Sequence, residues 1–332
     1  MEQQAETKDI VTHYPVETYA FFRNVGQGIL ATNSFIREFG YECVFVGLEE
    51  LEKNFYDLLS LPQNFKSGSK FLIQNQQISK EFFFAMTNSQ LFEHCALSDG
   101  GVIFLKAINH FDQRAINNKE SPLPLMRQLS ELQNFASVFM QQLRLFKKGN
   151  IYCPLYFQIN TQDRKITTKA TGRVGRAFDR PIYSLSETEA EILAKSFKGS
   201  FSTNKLTELA ISNFNLSYEI DDFKTKYITL MTALESIFAG GGGQISHTVS
   251  RHLALIISKS AVEFKKNYSR IRELYSLRND IVHGGSAKED IGEATYELQN
   301  RARQAINYCL PLNLNKTELF HQLNTLGYPD PP

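Results

Sequence analysis

Arg278 and His283 are the residues of this chain whose types and spacing could do chemistry, with Asn279 beside the first in the run Arg278-Asn279-Asp280-Ile281-Val282-His283. Imidazole titrates near neutrality, so His283 can act as a general base or a general acid. A guanidinium is always charged and fork-shaped, so Arg278 can hold a phosphate and stabilise charge growing in a transition state. Asn279 would orient one of the two. On a helix of ~3.6 residues per turn, Asn279 and His283 share a face, whereas Arg278 and His283 diverge by about 140°. One chain alone therefore holds the pair poorly. His283 also falls in the last turn before Gly284-Gly285, where the negative end of the helix dipole favours imidazolium and an acid role. A plainer reading stands beside this one: Arg278 and Asp280 as surface charges, and His283 as a helix-end residue bonding the last carbonyls.

The longer phrase Leu274-Tyr275-Ser276-Leu277-Arg278-Asn279-Asp280-Ile281-Val282-His283-Gly284 is more specific than the bare spacing. It resembles the signature of the HEPN superfamily, and specifically its Apea-like branch, in which a polar residue follows the arginine as Asn279 does. The resemblance extends upstream to Ala233-Leu234-Glu235-Ser236-Ile237-Phe238 and to a helix carrying Arg251, and covers the C-terminal third, roughly Leu206 to Leu323. It implies an all-α four-helix bundle that pairs as a homodimer, with both motifs lining one cleft at the interface. It also implies a metal-independent endoribonuclease acting on RNA without a cofactor, with Arg278, Asn279 and His283 as catalytic residues. A role in antiviral defence or toxin-like growth arrest follows from the same resemblance. Some HEPN domains only bind, so a silent RNA- or protein-binding or sensor module stays open. Some toxins of the superfamily are silenced by nucleotide addition to a tyrosine two residues after the histidine; that place is Gly285 here, which excludes silencing there.

Other constellations are weaker. His247 and His252 lie five apart with no HExxH or carboxylate partner, which reads as a surface or core role rather than a metal site. Glu93-His94-Cys95 puts a thiol beside an imidazole in sequence, but catalytic Cys and His meet through the fold. Glycines at Gly26 and Gly28, and at Gly172 and Gly175, make neither a dinucleotide fingerprint nor a phosphate loop, and the run Gly240 to Gly243 reads as a flexible hinge. Arg164, Lys165, Lys169, Arg173, Arg176 and Arg180 crowd one stretch opposed only by Asp163 and Asp179. A solvated hairpin and loop is favoured there over an RNA-backbone contact.

The elements that must position the motif are helical. Phe223, Tyr227, Leu230, Met231, Leu234, Ile237 and Phe238 fall on one stripe that stops at Gly240. A second helix is predicted near Ser246 to Ser258. A third runs from about Val262, with Tyr268, Ile271, Leu274 and Tyr275 on one face, to His283 before the glycines. Ser286 with Glu289 forms a capping box for a fourth, whose Ile291, Ala294, Leu298, Ala302, Ala305 and Cys309 keep helical spacing. Upstream, apolar runs at Cys43–Val46, Phe71–Ile73, Phe82–Met86, Val102–Ile108 and Tyr152–Ile159 read as strands. Leu125 to Leu143 form a helical face running to Lys147-Lys148-Gly149, and Ser186 with Glu189 caps a helix through about Lys195. The predicted class is α+β: a mixed α/β domain over 1–200, read as a sensor or regulatory domain for a trigger or inhibitor, then a helical domain over 203–325. The boundary is expected at Lys198 to Lys205, with a loose tail at Tyr328 to Pro332.

Composition sets outer bounds. At 332 residues, 42% hydrophobic and 21% charged, the chain has the make-up of ordinary globular domains, with two expected. A net charge of +1 supplies no global attraction to nucleic acid, so any RNA contact must be local. Cys43, Cys95, Cys153 and Cys309 are scattered without a zinc or disulfide pattern, and the acidic start and lack of long apolar runs fit a reduced, cytoplasmic protein off the membrane. Phe at 26 and no Trp point to a Phe-rich core.

Overall fold

The computed structural model describes residues 16–47, 50, 53–54, 101–108, 123–171, 182–197, 204–240, 244–285, 289–312 and 314–326. The chain is α+β and divides into two compact units. Among the described residues, the second unit comprises Gln141–Lys148 and everything from Asn204 onward, and the first comprises the remainder.

The first unit is built on an antiparallel five-stranded sheet of order β2-β3-β1-β4-β5, with β1 Val16–Arg23, β2 Tyr41–Gly47, β3 Gly101–Ala107, β4 Tyr152–Asn160 and β5 Ile166–Thr171. Strand β4 is buried on both faces, which is why it reads as near-continuous apolar text. Tyr19, Phe21, Val46, Val102, Phe104, Leu155, Phe157 and Ile159 cluster on one face. A short helix α1, Asn33–Ile36, sits between β1 and β2, and α2, Leu123–Phe146, lays Phe139 6.0 Å from Phe22 and Phe135 4.0 Å from the Tyr41 ring. Helix α3, Glu187–Ser196, opens with the predicted box: Ser186 Oγ accepts from the Glu189 amide and Glu189 accepts from the Ser186 amide.

Strands β1 and β5 were not among the predicted runs. Glu17 and Arg23 interrupt β1, and β5 lies in the basic stretch read as a solvated hairpin and loop, where it pairs antiparallel with β4 as the hairpin reading expects. Arg164 of that stretch is not solvated freely. It donates to Glu17 at 2.8 Å and to the Asn54 carbonyl at 3.1 Å. The runs Phe71–Ile73 and Phe82–Met86, the Glu93-His94-Cys95 triplet, Gly172, Gly175, Arg173, Arg176, Arg180, Gly241 to Gly243, Ser286 and the tail lie outside the described residues.

The second unit holds α4 Glu208–Glu219, α5 Phe223–Phe238, α6 Ile245–Ile257, α7 Ala261–Val282, α8 Ile291–Cys309 and α9 Lys316–Thr325. Helices α5 to α8 are the four predicted; α4 and α9 are additional. In α4, Leu209 and Leu216 are exposed while Ile211 and Phe214 are buried, so no single apolar stripe announces the helix. The whole predicted stripe of α5 from Tyr227 to Phe238 is buried, α4 packs on it, and α6 packs on α7.

One predicted cap is corrected. Helix α8 starts at Ile291 with Asp290 as its N-cap, whose Oδ1 accepts from the amides of Gly292 at 2.7 Å and Glu293 at 3.2 Å. Glu289 therefore stands outside the helix, and its carboxylate is held instead by Arg270 at 2.8 Å. A charged partner already in place outweighs a reach back to a backbone amide, and the short Asp290 side chain fits the cap.

Candidate active site at the end of helix α7

The motif occupies the C-terminal end of α7, and three sets of contacts fix that helix. Tyr227, fully buried on α5, donates its hydroxyl to the Leu274 carbonyl at 2.6 Å. At the next residue, Tyr275 donates to Glu235 Oε1 at 2.7 Å. Two turns before the motif, Arg270 bonds Glu297 of α8, Glu289 and Glu273 at 2.8, 2.8 and 3.2 Å. A chain pinned to both neighbours leaves little freedom at the residues it carries.

Arg278 is half-buried and surrounded on three sides. Its Nε lies 3.7 Å from Glu235 Oε1, its Nη1 donates to Asn279 Oδ1 at 3.3 Å, and its guanidinium carbon stands 5.9 Å above the Tyr275 ring. The ring and the carboxylate orient the guanidinium, and Asn279 is the residue that touches it. Burial, followed by the hydrogen bond and charge of Glu235, pushes the Tyr275 hydroxyl up to about 12. Tyr275 therefore stays neutral and remains a donor to Glu235 at any physiological pH.

His283 is the C-cap of α7. Its amide donates to the Asn279 carbonyl at 2.9 Å, and Gly284 follows in the left-handed conformation at φ 75°. Gly285 then donates back to the Asp280 carbonyl at 2.7 Å, a Schellman closure that ends the helix at Val282 with the histidine as its cap. The His283 side chain is exposed and makes no hydrogen bond or ion pair among the described residues. The structure thus brings Arg278 and Asn279 together within one chain and leaves the His283 imidazole apart from both. Helix α7 is continuous through Val282, so the divergence of about 140° expected for residues five apart applies.

Sequence reading assigned no role to Glu235. Its contacts with Tyr275, forty residues on in the sequence, and with Arg278 join α5 to α7, and the only sequence hint is its place in the Ala233 to Phe238 segment. His252 is buried against Phe320 at 4.7 Å, and His247 accepts from or donates to the Tyr268 hydroxyl at 2.8 Å. Among the described residues no group of three His, Cys, Asp or Glu could hold a metal ion, and no helix is long and apolar enough to cross a membrane. Cys43, Cys153 and Cys309 are buried, with no disulfide among the described residues. No family model, curated protein or solved structure matches this chain.

Proposed function

We propose that this protein is a metal-independent endoribonuclease that acts as a homodimer, in antiviral defence or toxin-like growth arrest. The observation that carries the reading is the contrast at the end of α7. Arg278 is held in place by Glu235, Tyr275 and Asn279, while the His283 imidazole is exposed and unengaged among the described residues. A phosphate clamp and a proton-transfer group that cannot meet on one helix can meet across a two-fold axis, where a second α7 supplies the missing member. Val282, 46% exposed beside His283, offers apolar surface at that end of the helix. In such a cleft His283 moves the proton of the ribose 2′-hydroxyl or of the leaving 5′-oxygen, and Arg278 stabilises the charged phosphorane.

The test is purified full-length protein incubated with RNA in EDTA. Expected are fragments ending in 2′,3′-cyclic phosphate and 5′-hydroxyl, no cleavage of DNA, and a dimer by light scattering. Arg278→Ala and His283→Ala should each lower the rate by ~10²–10⁴. Metal dependence, or activity persisting in either variant, would overturn the assignment.

One observation favours a second reading. Glu235 places a carboxylate 3.7 Å from the guanidinium and offsets the charge a phosphate needs, as suits a silent domain that holds RNA or a partner protein. Wild-type protein that binds RNA without degrading it, and does not slow growth when overexpressed, would establish that reading instead.

A further inference from the structure

Helices α6 and α9 and the segment after α5 border an open pocket of about 360 Å³ lined by Gly240, His247, Thr248, Arg251, His252, Phe320 and Asn324. No carboxylate is among these lining residues. Arg251 forms no ion pair among the described residues, and its Nη1 donates to Asn324 Oδ1 at 2.7 Å. His252 is 3% exposed, its Nε2 stands 3.4 Å from the same Asn324 oxygen, and its Nδ1 has no partner among the described residues. His252 Nδ1 is thus a buried polar atom without a partner among the described residues, and the partly exposed Arg251 beside it carries a charge that no carboxylate lining the pocket offsets.

The helix adds to this. Gln244, the N-cap of α6, is in the left-handed conformation at φ 76° and its side chain makes no cap bond. The first internal bond is from the Thr248 amide, so the amides of Ile245, Ser246 and His247 have no acceptor among the described residues. Those amides carry the positive end of the helix dipole. Of this helix His247, Thr248, Arg251 and His252 line the cavity, within two turns of that dipole end, with the Thr248 hydroxyl donating to the Gln244 carbonyl at 3.3 Å.

The geometry points to this pocket as a phosphate subsite for a single-stranded RNA, anchoring the strand away from the α7 motif. The identity of the strand rests on the ribonuclease reading; the phosphate chemistry does not. The volume falls within the ~300–1,000 Å³ usual for small-ligand sites. Tyr268, bonded to His247, precedes Arg278 by ten residues, or ~15 Å along the α7 axis. Between them Arg272, whose guanidinium stands 6.0 Å from the Tyr268 ring, forms no ion pair among the described residues. Around the helix Arg278 lies about 80° from Tyr268 and about 120° from Arg272, so a strand from Arg278 reaches the pocket by winding around α7 past this cation and ring, the pair of groups that single-strand surfaces use.

The experiment uses full-length protein with His283→Ala, so that bound RNA is not consumed. Fluorescence anisotropy of a labelled single-stranded oligoribonucleotide is followed against salt, with and without Arg251→Gln or Arg251→Lys, after circular dichroism has verified the fold of each. Arg251→Gln should weaken binding about tenfold and reduce the salt slope by ~0.7, the value for one phosphate left unneutralised on a single strand. Arg251→Lys should keep most of the slope, and AMP or inorganic phosphate should compete in the His283→Ala background but not with Arg251→Gln. An unchanged affinity and slope in folded Arg251→Gln would overturn the subsite. So would tight AMP binding with no oligonucleotide binding, which would make the pocket an effector site. Loss of binding in Arg251→Gln from a protein that never cleaves RNA would leave the subsite standing and remove the nuclease.

Discussion

Arg278 is restrained by a carboxylate that also restrains a phenol, and the two restraints are coupled. Glu235 Oε1 accepts the Tyr275 hydroxyl at 2.7 Å and lies 3.7 Å from Arg278 Nε. Removing the charge while keeping an acceptor, as Glu235→Gln does, should free the guanidinium for phosphate and loosen its aim together. The expected outcome is tighter RNA binding, seen as a lower KM, with kcat reduced about tenfold, because positioning and not charge is what the carboxylate supplies. A Glu235→Gln enzyme with unchanged kcat would show that Arg278 needs no orienting anion. The types of Arg278, Asn279 and His283 and their separation were legible in the sequence, because a helix converts spacing into direction. Glu235 was not legible, because its bonds depend on how α5 crosses α7, and periodicity fixes the buried face of each helix but not their register.

The ends of elements decide where the motif stops, and here local signals differ in strength. Gly284 sits at φ 75°, and an added Cβ would meet nothing within 4 Å, so any cost of Gly284→Ala comes from the backbone alone. A left-handed alanine costs ~1 kcal/mol, and the urea midpoint should fall accordingly, with RNA cleavage falling further because His283 is the residue before the turn. Unaltered stability and activity in Gly284→Ala would separate the histidine from its cap. The Gly284-Gly285 stop was readable because glycine is the residue that such a cap requires. The start of α8 was not, since Ser286 and Glu289 match a capping box in text while Arg270 holds Glu289 and Asp290 takes the cap. Helix α9 opens with Asn315 and Glu318 in a full capping box, a signal present in the sequence but set behind Pro311 and close to the proline-rich end of the chain.

Each of the two units draws ionised groups inward, and this sets its response to acid and to truncation. In the first, burial alone would raise the Glu17 carboxyl, but hydrogen bonds from Lys106, Arg164 and Tyr19 outweigh it and hold it at about 2 against an ordinary 4.5. A folded value below the unfolded one stabilises in full above about pH 4.5, and the contribution, on the order of 3 kcal/mol, is lost as pH falls from there toward 2. Glu17→Gln should therefore flatten the fall in urea midpoint between about pH 5 and about pH 3, and an equally steep fall would show that other carboxylates carry it. In the second unit Arg303, 5% exposed, donates Nε to the Arg144 carbonyl at 2.7 Å and Nη2 to the Tyr218 hydroxyl at 3.0 Å, while Asn307 donates to the Leu145 carbonyl at 2.8 Å. Those carbonyls lie in the last turn of α2, which has no intrahelical donors left for them, and the Arg144 guanidinium in turn stands 4.4 Å over the Tyr218 ring. The helical unit is thus discontinuous in sequence, although composition places its boundary at Lys198 to Lys205. A fragment of residues 204–332 removes the Arg144 and Leu145 carbonyls that Arg303 and Asn307 bond and uncovers the surface they close, and should unfold about 3 kcal/mol more easily than the same helices in the full chain. Joining residues 123–149 to that fragment through a Gly-Ser linker should restore the urea midpoint, followed by circular dichroism at 222 nm. A bare 204–332 fragment as stable as the linked one would show that the end of α2 is dispensable. If the linked fragment is the more stable, it is the form in which to ask whether the first unit restrains RNA cleavage, since loss of activity in the bare one would report unfolding alone.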